Sequence, residues 1–88
     1  MRLLTTRRFE RDLKRVKKRG KSLKKLKTIT DMLLTGESLP SRYRTHQLSN
    51  NWQGFRECHV EPDWLLIWGQ DEDTLSLTRT GSHSDLFG

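Results

Sequence analysis

The side chains best suited to proton transfer all lie in the C-terminal half of the 88-residue chain. They are the only three histidines, His46, His59 and His83, together with a carboxylate in a predicted turn, Asp63. A free imidazole titrates near pKa ~6.5, so it can take or give a proton close to neutral pH. Such a set could cleave RNA by means of the 2′-hydroxyl of the RNA itself.

That reaction needs a base for the 2′ proton, an acid for the departing 5′ oxygen and a cation for the charge that grows on phosphate. Two histidines could act as base and acid, and Arg56 or Arg79 could supply the cation. No metal is needed, because the nucleophile belongs to the substrate. The residue types alone leave a purely structural role for the three histidines open.

The spacing of potential metal ligands predicts neither a metal ion nor another cofactor. Cys58 and His59 are neighbours on a predicted strand and would point to opposite faces of it. The chain also lacks the C-x-x-C and H-x-x-x-H spacings of common zinc sites. Because Cys58 is the single cysteine, an intrachain disulfide is excluded as well.

A β-hairpin over residues 55–68 is predicted to hold His59 and Asp63. Pro62 has the fixed φ that suits the second position of a turn, and Asp63 can bond its own backbone two residues on. Alternation along the first strand predicts an inner face of Arg56, Cys58 and Val60 and an outer face of Phe55, Glu57 and His59. His59 is therefore expected on the outer face, near the turn carboxylate.

Two helices are predicted before the hairpin. A short strand within residues 1–6 precedes a helix that Thr5 or Thr6 caps, and Gly20 ends this helix. A second helix follows Ser22 and stops at Gly36. The apolar positions of both helices recur at helical spacing; they are Phe9, Leu13 and Val16 in the first, and Leu23, Leu26, Ile29 or Thr30, and Leu33 in the second.

The rest of the chain predicts mainly strands. Residues 43–48 alternate weakly and are taken as a strand, and residues 75–80 alternate clearly after an acidic turn. Ser82 and Asp85 have capping-box spacing before a short C-terminal turn or helix. The order β-α-α-β-β-β-β predicts one α+β domain, residues 1–88, with the two N-terminal helices on one face of a mostly antiparallel sheet.

The positive charge is concentrated near the N-terminus. Residues 1–27 hold thirteen Lys or Arg against Glu10 and Asp12, whereas residues 28–88 hold four against nine acids. Such a face attracts RNA, DNA, an anionic membrane or an acidic protein partner without distinguishing them. Five cations on the two helices are predicted to contact the polyanion; they are Arg8, Arg11, Arg15, Lys18 and Lys25. With no signal peptide and no membrane span in the sequence, a cytoplasmic protein is expected.

Two segments resemble a known toxin family. HQLSNNWQGFRECHVEPDWLLIW at residues 46–68 and LTRTGSHSDLF at residues 77–87 are similar to the YafQ branch of the RelE/ParE superfamily. The order of elements agrees as well, so the resemblance covers essentially the whole chain. The run HVEPDWLLIW followed by RTGSHSDLF carries most of its specificity, and the basic helices alone would not.

The resemblance implies a type II toxin that cleaves mRNA in the ribosomal A site and is neutralised by a cognate antitoxin. It implies a free toxin that is monomeric and binds no membrane. It also implies a catalytic set of His46, His59, Asp63, His83 and Phe87, with Trp64, Arg79 and Arg56 binding substrate. Alternatives are a gyrase-poisoning toxin of the same fold and a basic RNA-binding module. The ribonuclease is favoured because this chain has histidines at the positions where the resemblance places the catalytic ones.

Overall fold

The computed structural model describes all residues, 1–88, and contains the predicted succession of elements. Its strands and helices are β1 (Arg2–Thr5), α1 (Arg7–Lys18), α2 (Leu23–Leu34), β2 (His46–Gln47), β3 (Phe55–Glu61), β4 (Trp64–Gln70), β5 (Thr74–Gly81) and α3 (His83–Phe87). Two short 3₁₀ turns, Ser41–Tyr43 and Asn50–Trp52, flank β2. The order β-α-α-β-β-β-β with a short C-terminal helix is therefore confirmed.

The five strands form one sheet in the order β1-β5-β4-β3-β2. β1 runs parallel to β5, and every other pair is antiparallel, so the prediction of a mostly antiparallel sheet is confirmed. The register between β3 and β4 shifts between His59 and Glu61, which gives β3 a bulge at Val60. The two-residue turn Pro62–Asp63 closes this hairpin.

Local signals in the sequence explain where α1 begins and ends. The Thr6 hydroxyl oxygen accepts a hydrogen bond from the Phe9 N–H at 3.0 Å, and the same hydroxyl donates to the Thr78 carbonyl in β5 at 2.7 Å. The helix stops at Gly20, whose φ of 81° is easy only for glycine. Ser22 precedes α2 as predicted, but its side chain makes no cap hydrogen bond.

Both predicted helices pack on the same face of the sheet, as expected. Their buried residues Phe9, Val16, Leu26, Ile29 and Leu33 form one core cluster with strand residues that include Cys58, Trp64, Leu66 and Trp68. A smaller cluster lies on the opposite face, where Leu65 and Ile67 contact Leu86 of α3. The sheet thus has one face under α1 and α2 and another that α3 covers only in part.

The predicted strand over residues 43–48 is wrong in extent. Only His46 and Gln47 pair with β3, because Ser41–Tyr43 form a 3₁₀ turn and Arg44 adopts the left-handed conformation with a φ of 50°. A left-handed residue ends an extended segment, so β2 begins after it. None of the helices has the length and apolarity that crossing a lipid bilayer requires.

Candidate active site

The sheet brings the predicted catalytic residues together on the face opposite α1 and α2. His46 in β2 pairs with Glu57 in β3, and His59 follows two residues later on the same face. α3 brings His83 next to His59, with 5.8 Å between the two ring centroids. The ring of Phe87, 48% exposed, lies 6.5 Å from that of His83. Residues up to 41 positions apart in sequence therefore form one cluster.

Asp63 holds His83 in two ways. Its Oδ1 atom accepts the backbone N–H of His83 at 3.0 Å and lies 2.9 Å from ring atom Nδ1. These contacts hold the pKa of Asp63 below its usual value, so this carboxyl is ionised near neutral pH and can only accept. Nδ1 of His83 therefore carries the hydrogen, and Nε2 is left to exchange a proton with a substrate.

The hairpin turn also fixes the ring of His59 through its Nδ1 atom. Its Nδ1 atom lies 3.1 Å from the carbonyl oxygen of Pro62, which can only accept a hydrogen bond. Nδ1 must donate, so Nε2 of His59 is free as well. The structure thus places two imidazoles side by side, each fixed through Nδ1 and each with Nε2 unengaged by the protein.

The short helix α3 is fixed at its beginning by a capping box. The Ser82 hydroxyl accepts the Asp85 N–H at 3.1 Å, while Asp85 accepts the Ser82 N–H at 2.9 Å. Asp85 also receives two hydrogen bonds from the guanidinium of Arg19, at the end of α1. A side chain at Gly81 would place Cβ 2.8 Å from Asp85 Oδ2, so this glycine is needed for the close approach.

Glu57 also lies in this cluster, although no role was predicted for it from the sequence. Its Oε1 atom lies 3.0 Å from Nε2 of His46, and its side chain is only 5% exposed. Its second oxygen, Oε2, is buried without a hydrogen-bond partner. The available signal was its place on the predicted outer face, two residues before His59.

One ligand atom from each of His46, Glu57 and His59 lies within 4.8 Å of the others, close enough to hold a metal ion. Ligand spacing along single segments predicted no metal site, whereas this group of three residues forms by the pairing of β2 with β3. The expectation that Cys58 faces away from His59 is confirmed. Cys58 lies in the core under the helices, where burial, and then the charge of Glu57, raises the pKa of its thiol to about 12.

Trp64 and Arg56 lie away from this cluster. Trp64 is 1% exposed in the core under the helices, and its indole N–H donates to the Thr80 hydroxyl at 2.9 Å. The interpretation of Trp64 as a substrate-binding residue is therefore wrong. Arg56 is exposed, but alternation along β3 puts it on the helix-side face with Cys58, so the structure does not bring it to the histidines either.

Arg79 is not the free phosphate ligand that the sequence analysis predicted. Its side chain is 8% exposed and donates to both carboxylate oxygens of Asp12 in α1, at 2.6 and 3.1 Å. This pairing raises the pKa of Arg79, and Asp12 also accepts the Thr80 N–H at 3.2 Å. Arg79 thus ties α1 to β5, and its guanidinium is not free for another anion.

The basic face of α1 and α2 is exposed as predicted, but its cations are not equivalent. Arg8, Arg11 and Lys18 are exposed and form no ion pair. Arg15 lies 3.5 Å from Asp85, and Lys25 lies 2.7 Å from Glu61. Of the five predicted cations, the first three therefore have the least balanced charge for a polyanion.

Comparison with known proteins places these features in a family. Residues 1–88 match the family described as the bacterial toxin of type II toxin-antitoxin systems, YafQ. The chain is 42% identical over 81 residues to the mRNA interferase toxin YafQ of Escherichia coli, which covers 91% of this chain and 88% of the relative.

Solved structures agree over the full length. The crystal structure of YafQ from Escherichia coli superposes with a TM-score of 0.95 at 38% identity and covers 100% of both chains. The crystal structure of the DinJ–YafQ complex of Escherichia coli gives a TM-score of 0.93 at 39% identity, again covering 100% of both chains.

Proposed function

The chain belongs to the YafQ family of bacterial type II toxin-antitoxin toxins, and we propose that it is an mRNA interferase that cuts mRNA on the ribosome. The observation that carries the proposal is the pair His59 and His83. Their rings lie 5.8 Å apart, and each is held through Nδ1 by an oxygen acceptor, which leaves both Nε2 atoms for the substrate. Two imidazoles in this arrangement suit RNA cleavage by general acid and base.

In the proposed reaction one of the two histidines takes the proton of the 2′-hydroxyl at Nε2. The 2′ oxygen then attacks the adjacent phosphorus, and the bond from phosphorus to the 5′ oxygen breaks. The other histidine gives its Nε2 proton to that departing oxygen. The products are a 2′,3′-cyclic phosphate and a free 5′-hydroxyl, so no water and no metal ion enters the reaction.

The neighbouring residues have supporting roles in this proposal. Asp63 fixes the tautomer and orientation of His83, as a carboxylate does for the catalytic imidazole of a serine protease. His46, held by Glu57, borders the pair and contacts the substrate. Phe87 is half-exposed beside His83 and can stack on an unstacked mRNA base.

The ribosome is the proposed setting because the basic helical face lies apart from the histidines and is free to bind a second polyanion. The exposed and unpaired cations Arg8, Arg11 and Lys18 lie on α1, on the other side of the sheet. They can bind ribosomal RNA phosphates while the histidine face meets mRNA in the A site. A neutralising antitoxin is proposed as the second partner, since the YafQ relative was solved in complex with DinJ.

Expression of the protein alone tests the proposal. Growth should stop, the antitoxin from the same operon should restore it, and primer extension on cellular mRNA should reveal new 5′ ends in translated regions. Intact mRNA together with altered DNA supercoiling would instead indicate the gyrase-poisoning alternative. Normal growth at full expression would contradict both kinds of toxin.

A further inference from the structure

A cleft of about 500 Å³ opens beside His59, between β3 and the 3₁₀ turn Ser41–Tyr43. This volume lies in the range of clefts that bind small ligands. His59 is one of the residues that line it, together with Val60, Glu61 and Pro62, so the cleft adjoins one member of the proposed catalytic pair. His83 and Phe87 do not line the cleft.

Cations dominate the rim of this cleft. Lys25, Arg42 and Arg44 line it, against one carboxylate, Glu61. Glu61 is already bound by Lys21 and Lys25, each at 2.7 Å, and this pairing lowers its pKa. Arg42 and Arg44 make no ion pair with any acid of the chain. Two guanidinium groups therefore face the cleft with uncompensated charge.

Arg42 offers a flat surface as well as a charge. Its guanidinium carbon lies 4.7 Å from the centroid of the Tyr43 ring, and its Nη2 atom donates to the Tyr43 hydroxyl at 3.1 Å. The ring of Tyr43 in turn packs on the core under the helices. A guanidinium plane held in this way can stack on a nucleobase.

Arg44 is held in a conformation that costs energy. Its φ of 50° lies in the left-handed region, which a residue with a side chain rarely adopts, and its N–H closes the 3₁₀ turn onto the Ser41 carbonyl at 3.0 Å. Glycine would fit this position without strain. Strained residues of this kind cluster at ligand-binding sites, where the gain in binding offsets the strain.

We propose that this cleft binds the mRNA nucleotide next to the scissile bond, with its base on the Arg42–Tyr43 stack and its phosphate on Arg44. The inference rests on the proposed function and deepens it. The proposed reaction needs a cation beside the substrate phosphate. Arg79 cannot be that cation because its guanidinium is bound to Asp12, whereas Arg44 is available. The mRNA would then run from Phe87 across His83 and His59 into the cleft.

Single-turnover cleavage on programmed ribosomes tests this placement. The mRNAs carry an abasic residue either directly before or directly after the scissile bond. On intact mRNA, Arg42→Gln should slow subsaturating cleavage by roughly 5- to 100-fold, the range of one base-stacking contact. On the mRNA that lacks the stacked base, Arg42→Gln should cause no further loss. Arg2→Gln, an exposed arginine at the opposite edge of the sheet, is the matched control and should cut both mRNAs as wild type does.

Arg44→Gly separates binding from folding. It removes both the guanidinium and the backbone strain, so cleavage should fall while the midpoint of thermal unfolding holds or rises. An equal loss for Arg42→Gln on every mRNA would assign the cleft to ribosomal RNA and overturn the inference. Full activity with weakened antitoxin binding would assign it to an acidic peptide and overturn it too. If the wild type itself leaves all these mRNAs intact, the proposed function fails instead.

Discussion

Asp63 binds His83 through a single oxygen atom, Oδ1, which accepts the backbone N–H at 3.0 Å and faces ring atom Nδ1 at 2.9 Å. The turn of the hairpin thereby fixes both the first residue of α3 and the orientation of its imidazole. Because the two residues are 20 positions apart, the contact joins the β3–β4 hairpin to the C-terminal helix. The position of His83 relative to His59 depends on it.

The first prediction concerns the charge of Asp63. The His83 N–H, and then the His83 ring, lower the pKa of Asp63 below its ordinary value of 3.8. The stabilisation from this contact is therefore fully present above pH 3.8 and is lost as the pH falls through the lowered pKa of the folded protein. Asp63 stays ionised wherever cleavage is measured. Asp63→Asn should therefore lower the cleavage rate at least about tenfold at every pH from roughly 6 to 8, less than the ~10⁴-fold loss known for a buried triad carboxylate.

The shape of the pH profile checks this assignment. The wild type and Asp63→Asn should both keep an acidic limb in the profile of cleavage rate against pH. If the acidic limb of the wild-type profile vanished in Asp63→Asn, Asp63 would itself exchange a proton in the reaction, which contradicts its role as an orienting group.

The second prediction concerns how α3 is held in place. Arg19 donates two hydrogen bonds to Asp85, and this raises the pKa of Arg19 and lowers that of Asp85. Arg19→Met should change global stability little, because exposed ion pairs contribute little. It should speed amide exchange in α3 and lower the cleavage rate while ribosome affinity is kept. Lys17→Met, an exposed cation on the same helix without a partner, is the control, and equal effects of the two would refute this role.

A third prediction tests the corrected role of Arg79. Arg79→Met leaves the buried Asp12 charge with only the exposed Arg15, 3.6 Å away, as an ion-pair partner, which should cost about 3–5 kcal/mol of unfolding free energy. Adding Asp12→Asn removes that charge and keeps an acceptor for the Thr80 N–H, so most of the loss should be recovered. Urea unfolding measures both variants. The double variant should also cleave mRNA at a rate within a few-fold of wild type. A double variant that folds but is inactive would instead indicate that Arg79 binds the substrate.

The fourth prediction concerns the basic face. Changing Arg8, Arg11 and Lys18 to Gln should weaken ribosome binding and reduce the salt dependence of that binding. The slope should fall by about 2–3 in total, since each phosphate contact contributes roughly 0.7 to 0.9. Ribosome binding measured over a range of salt concentrations gives the slope, with Arg2→Gln as the control. An unchanged slope in the triple variant would leave these cations with a role in solubility alone.

The sequence predicted those parts of the fold and site that depend on neighbours along the chain. The Thr6 cap, the Gly20 stop, the Pro62–Asp63 turn and the Ser82–Asp85 capping box were all found as predicted, because each is encoded within a few residues. The predicted strand around Tyr43 failed for a reason that is also local. Arg44 adopts a left-handed backbone conformation, which an arginine in the sequence does not predict.

The partners of charged and aromatic side chains could not be predicted in the same way. Arg79 pairs with Asp12, 67 positions away, and Trp64 donates to Thr80, 16 positions away. Only the packed structure shows that Arg79 and Trp64 are buried. Glu57 likewise contacts His46 only because β2 pairs with β3. Charge and aromaticity suggested function at Arg79 and Trp64, but tertiary packing gave them structural roles.

The central claim is that His59 and His83 are the acid and base of RNA cleavage, and single-turnover cleavage of mRNA on programmed ribosomes tests it most directly. His83→Ala and His59→Ala should each lower the rate at least ~100-fold, the usual contribution of a general acid or base. Ribosome binding should stay near wild type, because the cations of α1 are untouched. Wild-type cleavage rates in both variants would contradict the account.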